Sequence, residues 1–306
     1  MISTLRIKNT VFGFLPILIW SFGALLAVEL TSIPPFQILF FEFSIAFAVV
    51  VFRYLISKES TFFNFKKRDL LVVSLFLISN QVCYYSAFRY SPSAQVDLIN
   101  YLWPTFLILF SSFLPNEKFC PSYLIACLFC LMGLYLLIPN AADAFSAEHR
   151  FGYFLAFGSA MSWTLYCLYS RYNANYSANC ISWACGIAAL FSLGVHLRYE
   201  TYVTPSLFEM LLITLVGVFQ IGLAYYFWEI ALKKGSVKIL GLAAYTIPLF
   251  SVMILVLFGE AEFEYEMAIA TILITCAPIV PGVIAPWFKQ LSKSRKMAFV
   301  RSLFLL

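Results

Sequence analysis

Ten long apolar runs, each free of dense charge, constrain this chain more than any other feature. They cover roughly residues 11–29, 35–53, 70–88, 94–114, 121–139, 151–171, 179–197, 208–231, 237–258 and 266–288. Crossing a bilayer takes about 20 helical residues, whereas a barrel strand needs about 9–11 residues of alternating polarity. The runs have the first length and lack the second pattern. Backbone groups in lipid must also satisfy one another internally, which helices do within a single segment. The chain's 306 residues are 62% hydrophobic and 11% charged. A soluble domain has about 45–50% apolar and about 25% charged residues, so this exterior faces a lipid bilayer. The expected class is an all-α polytopic membrane protein. The third and fourth runs are separated mainly by Arg89 and Pro92, and a nine-helix reading that merges or drops one is the alternative.

The net charge of +5 falls between the runs, which argues against a nucleic-acid partner. With the N-terminus placed inside, 17 of the 20 Lys and Arg residues lie in inside segments; Arg89, Arg150 and Arg198 lie outside. That asymmetry predicts an even number of spans with both termini cytoplasmic. Glu260, Glu262, Glu264 and Glu266 fall in the last outside loop. Arg6 and Lys8 before the first run resemble the start of a signal peptide. The run is long and no small-residue cleavage site follows it, so it reads as a retained helix. Cys127 and Cys130 form a C-x-x-C inside an apolar run, which favours packing over redox or metal chemistry.

A slide of 144 residues lays Ala87 on Ala231, Tyr101 on Tyr245, Pro104 on Pro248 and Phe106 on Phe250. Glu117 and Glu260 follow their prolines by 13 and 12 residues, and each half opens with a Gly and then a Trp: Gly13 and Trp20, Gly152 and Trp163. Five spans per copy invert the second copy relative to the first. The expected organisation is a five-helix repeat over 1–140, a joint over 141–150, a second repeat over 151–288, and a basic tail over 289–306 lying against the anionic leaflet.

These features, with the segment Asp97-Leu98-Ile99-Asn100-Tyr101-Leu102-Trp103-Pro104-Thr105, resemble the EamA-type branch of the drug/metabolite transporter (DMT) superfamily. Within it the Asn-Tyr-Leu-Trp-Pro stretch is similar to that of YddG-type aromatic amino acid exporters. The resemblance covers nearly the whole chain. It implies a basket of ten helices around a central cavity, lined by the third, fourth, eighth and ninth helices with the first and sixth. It also implies alternating access, export of aromatic amino acids and no cofactor. Relatives of this fold carry other cargo, including S-adenosylmethionine, threonine or homoserine, and nucleotide sugars.

An aromatic amino acid needs a ring wall, acceptors for its ammonium and donors for its carboxylate. Asn100 and Trp103 share one face of the fourth helix, with Tyr101 beside them, and Pro104 frees the carbonyl of Asn100. Tyr245 with Pro248 is the repeat equivalent; both prolines also read as simple kinks. Asn80 and Gln81 lie mid-run with Tyr84 one turn beyond Asn80, placed to bond either substrate or a neighbouring helix. Trp163 and Trp20 complete the substrate-binding candidates, the former by resemblance. Glu42, near mid-depth, is the candidate for proton coupling, against the reading of a neutral structural acid. Asp97 and Glu229 lie near run ends and are read as reaching the interfaces, with Glu229 and Lys233 as an i,i+4 pair.

His149 and His196 suggest no zinc site, and no metal site is expected. No Walker loop, dinucleotide-binding motif or nucleophile elbow is present, which disfavours an ATP-driven pump, and no enzyme activity is expected. The reading is a secondary transporter or facilitator of a small metabolite, with S-adenosylmethionine or another amphipathic metabolite as alternative cargo. A membrane receptor and an intramembrane enzyme are the remaining classes. Oligomeric state is not legible.

Overall fold

The computed structural model describes residues 4–22, 26, 30, 32–57, 63–91, 96, 99–115, 121–136, 147–259 and 265–280. The described residues form ten helical spans, one for each apolar run. Helix α1 comprises Thr4–Phe12 and Phe14–Trp20, followed by α2 (Pro35–Ser57) and α3 (Lys67–Tyr90). Next come α4 (Trp103–Phe110, extended by the turn Ser111–Phe113) and α5 (Ser122–Leu136). The second half contains α6 (Arg150–Tyr172), α7 (Asn179–Tyr199) and α8, whose segments are Leu207–Leu215, Val216–Leu223 and Ala224–Lys234. Helices α9 (Val237–Ala244 and Thr246–Leu257) and α10 (Tyr265–Cys276, extended by Ala277–Ile279) complete the bundle.

The third and fourth runs are separate helices. Ser91 ends α3, its amide donating to the Ala87 carbonyl at 3.0 Å, and its hydroxyl donates to the His149 carbonyl at the start of α6. Outward-facing residues such as Leu75, Phe154, Leu190 and Leu207 are exposed and apolar, as a lipid-facing surface requires. Cys127 and Cys130 are free thiols buried in α5 among Tyr245, Leu249 and Ile274.

The packing obeys the repeat. Helix α3 lies on α6, and α8 on α1; α2 lies on α8, and α7 on α3; the equivalent pairs α2 with α7, α4 with α9 and α5 with α10 pack on each other. Adding five to a first-half helix and subtracting five from a second-half helix returns the same set. Two glycines hold the corresponding crossings. A Cβ on Gly13 would fall 2.8 Å from the Ala231 Cβ and 2.3 Å from Leu240, and one on Gly152 would fall 3.0 Å from the Ala87 carbonyl and 2.0 Å from the Ser91 hydroxyl. Only a residue without a side chain lets these helices approach so closely in lipid, where van der Waals packing drives association. This is a five-plus-five inverted repeat.

Helix α8 widens into a π turn at Val216–Leu223, a distortion that often marks functional sites. Gly217 in that turn admits Ile45 of α2, which sits 2.8 Å from where a Cβ would be. Asp97, Glu117, Glu260, Cys120, the joint before Ala147 and the tail 289–306 lie outside the described residues.

Candidate functional site

Four tryptophans from four helices meet at the centre of the bundle. Trp20 (α1) packs edge-on against Trp163 (α6) and Trp228 (α8), with ring centroids 6.0 and 5.3 Å apart. Trp103, at the start of α4, packs against Trp163 and Trp228 at 6.3 and 5.8 Å. Tyr225 closes the group at 5.3 Å from Trp163 and 6.1 Å from Trp20. Edge-to-face pairs of this kind contribute about 0.5–1.5 kcal/mol each beyond burial.

The four indoles differ in what their N–H groups do. Trp20 donates to the Gln220 carbonyl at 2.9 Å, and Gln220 returns a bond to the Ile19 carbonyl, locking α1 to the π turn. Trp228 donates to the Cys167 thiol at 3.4 Å. The N–H groups of Trp103 and Trp163 have no partner among the described residues. Thr164 donates to the Trp103 carbonyl at 3.2 Å and so fixes that residue's backbone.

One helical turn from Trp163 and Trp103 lies a polar chain. Asn80 of α3 donates to the hydroxyl and carbonyl of Ser159 at 2.9 and 3.1 Å, and the Ser159 hydroxyl donates to Asn100 Oδ1 at 3.0 Å. The carbonyl acceptor fixes the Asn80 amide, and Asn100 turns its Oδ1 toward the donating hydroxyl in this arrangement. The arrangement leaves Asn80 Oδ1 as an acceptor and Asn100 Nδ2 as a donor without a partner among the described residues, on half-buried side chains. Gln81 donates to the Tyr225 hydroxyl at 2.9 Å.

Trp20, Trp103 and Trp163 therefore meet in one cluster, and Asn80 and Asn100 are joined beside it. Tyr101 packs against the same core. Tyr84 packs edge-on against Tyr85 and Phe88 in a separate cluster with Ala87, Val96 and Ala156. Tyr245 is fully buried in the group formed with α5 and α10, its hydroxyl bonded to Thr105. Glu42 is buried and has no hydrogen bond or ion pair among the described residues; it lies near Tyr85 and Tyr225. Trp228 is absent from the sequence expectations, although it lies 144 residues after Tyr84, the offset that relates the halves.

Two polar clusters flank this centre. Toward the end of the bundle that holds the start of α1, Glu229 and Lys233 pair at 2.9 Å with side chains 0% and 3% exposed. The i,i+4 spacing is as read from the sequence, but Glu229 is buried rather than reaching an interface, because Tyr166 bonds its other oxygen. Tyr176, in the connection between α6 and α7, faces this pair; burial, with Glu229 nearby, holds its phenol well above the ordinary value and hence neutral. At the opposite end Glu200 accepts from the backbone amides of Phe36 and Gln37, both at 3.2 Å, and pairs with His196 at 3.0 Å and Arg89 at 3.4 Å. No cluster of metal-ligating side chains occurs among the described residues.

The model of the EamA-like transporter family matches residues 8–138 and again 150–281. The chain belongs to this family. The two matches fall on the two halves that the packing relates. The aromatic amino acid exporter YddG of Ancylobacter novellus is 32% identical over 280 residues, 90% of this chain and 96% of that protein. The proteins of the same name from Salmonella typhimurium and Escherichia coli are each 26% identical, covering 61% and 60% of this chain and 68% and 67% of theirs. A solved crystal structure aligns with a TM-score of 0.87 at 30% identity, covering 92% of this chain and 99% of its own. This is an EamA-like polytopic membrane transporter with the DMT fold.

Proposed function

We propose that this transporter exports aromatic amino acids across the bacterial inner membrane by alternating access, with both termini in the cytoplasm. The observation that carries the reading is the central cluster: an aromatic wall whose Trp103 and Trp163 N–H groups are uncommitted, beside an amide acceptor on Asn80 and an amide donor on Asn100. Indole and phenyl rings stack on the wall. The N–H groups and Asn100 offer donors to a carboxylate, and Asn80 offers an acceptor to an ammonium. None of these groups is a nucleophile poised beside a base, so the site binds and releases without covalent chemistry. The names of the three curated relatives support the cargo, and the positive-inside distribution supports the orientation. The halves 1–140 and 151–288, joined over 141–150, are the bodies that move, and Glu42 is the residue that carries a coupling proton.

The test is flux of labelled tryptophan and phenylalanine in proteoliposomes, with Trp103→Ala alongside. Saturable flux that the folded variant lacks supports the proposal; flux of S-adenosylmethionine with none of tryptophan removes the aromatic cargo. Glu42 near the cluster favours that second cargo, since a buried carboxylate attracts a cationic amphipath.

A further inference from the structure

The buried pair Glu229–Lys233 has no role in the cluster just described, and stability is a weak reason for it. Burying two charges costs desolvation, and well-packed apolar residues often serve as well. Its surroundings point to a ligand. Lys233 Nζ donates to the Tyr176 carbonyl at 2.7 Å and lies 3.3 Å above the centroid of that residue's ring. Arg171 of α6 donates to the carbonyls of Leu232 and Lys233 at 3.1 and 2.6 Å. The end of α8 is thus fastened to the 173–178 connection. Two hydroxyls here, on Ser170 and Tyr176, are buried close to each other and to Glu229, yet make no hydrogen bond of good geometry among the described residues, an uncommon condition. Next to the pair is a cavity of about 290 Å³ whose lining includes Asn64, Asn175, Tyr176, Lys233 and Lys234. Tyr176 and Lys233 both line the cavity, so it borders the pair directly, and Tyr166, bonded to Glu229, connects the pair to Trp163 at a centroid distance of 5.0 Å.

We infer that Glu229, Lys233 and Tyr176 form a head-group site at this mouth, which recognises the zwitterion of an α-amino acid and opens on binding it. The inference rests on the transport reading. An α-amino acid carries a carboxylate and an ammonium on one carbon, so it exchanges partners with an existing ion pair without stranding a charge. Its carboxylate draws Lys233 Nζ away from Glu229 and from the Tyr176 carbonyl. Its ammonium takes the vacated Glu229 oxygen and the face of the Tyr176 ring, which attracts cations. Lys233 then no longer holds α8 to the 173–178 connection, and the path toward Trp163 opens. A ligand with one of the two charges leaves the other partner buried and unpaired, and the site rejects it.

Cys180 reports the opening: it is fully buried at the start of α7, within electrostatic reach of both Glu229 and Lys233. The experiment measures the alkylation rate of Cys180 by peptide mass spectrometry, on the full-length protein in nanodiscs. Tryptophan, tryptamine and indole-3-propionate are compared. Tryptophan is expected to raise the rate at least fivefold and the two single-charge analogues to leave it unchanged. The Glu229→Gln/Lys233→Met double variant strands no charge; folded, as checked by its melting temperature, it labels rapidly with or without ligand. Equal effects of all three compounds on the wild type, or a folded double variant that responds as the wild type does, overturns the inference. Acceleration by aliphatic amino acids but not aromatic ones leaves the head-group site standing and removes the aromatic cargo instead.

Discussion

Trp103→Phe separates ring stacking from hydrogen bonding. The indole N–H of Trp103 has no partner among the described residues, so its loss costs the resting fold no hydrogen bond, and a phenyl ring keeps most of the edge contacts to Trp163 and Trp228. If that N–H meets a substrate carboxylate, its removal costs about 1.5–3 kcal/mol, the usual range for a hydrogen bond to a charged group. At about 1.4 kcal/mol per decade the KM for tryptophan rises roughly 10- to 150-fold. The control is Trp228→Phe. There the N–H is spent on Cys167, so the substitution costs about 0.5–1.5 kcal/mol of stability for the lost bond, besides the cavity it leaves, and raises KM less than Trp103→Phe does. Initial rates in proteoliposomes, with melting temperatures on the same preparations, give both quantities. If both variants keep wild-type KM, or both shift it equally, the distinction between committed and free indoles is refuted.

Glu42→Gln is expected to retain tryptophan flux driven by its own gradient but to lose any dependence on an imposed pH gradient, because an amide carries no exchangeable coupling proton; unchanged pH dependence removes Glu42 from that role. Gly152→Ala drives a Cβ into Ser91 and lowers thermal stability by about 1–3 kcal/mol, as overpacking does, whereas Gly194→Ala, with no atom within 4 Å, is neutral or stabilising; denaturation in detergent compares them. Asn175→Cys is expected to react with an impermeant maleimide from the cytoplasmic side and Tyr202→Cys from the outside; the opposite pattern in intact cells and inverted vesicles reverses the orientation.

The spans were legible because hydropathy reports lipid contact, and lipid contact is what most of their residues have. The faces of those spans were not. A helix apolar on every side carries little periodicity to show which side meets its neighbours. Hence Trp228 does not stand out among many aromatics, although its offset from Tyr84 marks it, and the Asn80–Ser159–Asn100 chain depends on three helices meeting at one depth. The distance of Glu229 from a run end marks it as an interfacial acid. Its burial comes from Tyr166, 63 residues away, a pairing that local spacing does not encode. The π turn of α8 is equally silent in sequence, since its glycines also occur in straight transmembrane helices. Tyr101 and Tyr245 occupy equivalent positions, yet the structure places Tyr245 against α5 and α10 while Tyr101 packs on the central core.

The bond between Gln81 and Tyr225 joins residues 144 apart, the offset that superposes the halves. It therefore links a position to its own duplicate. When two inverted copies exchange conformations, most contacts between them are traded for different ones, but a contact between equivalent positions maps onto itself. In the alternating-access cycle proposed above it serves as a pivot, retained as the bundle tips from one opening to the other. Such a pivot needs one donor and one acceptor, which two unlike residues such as Gln81 and Tyr225 supply better than a matched pair.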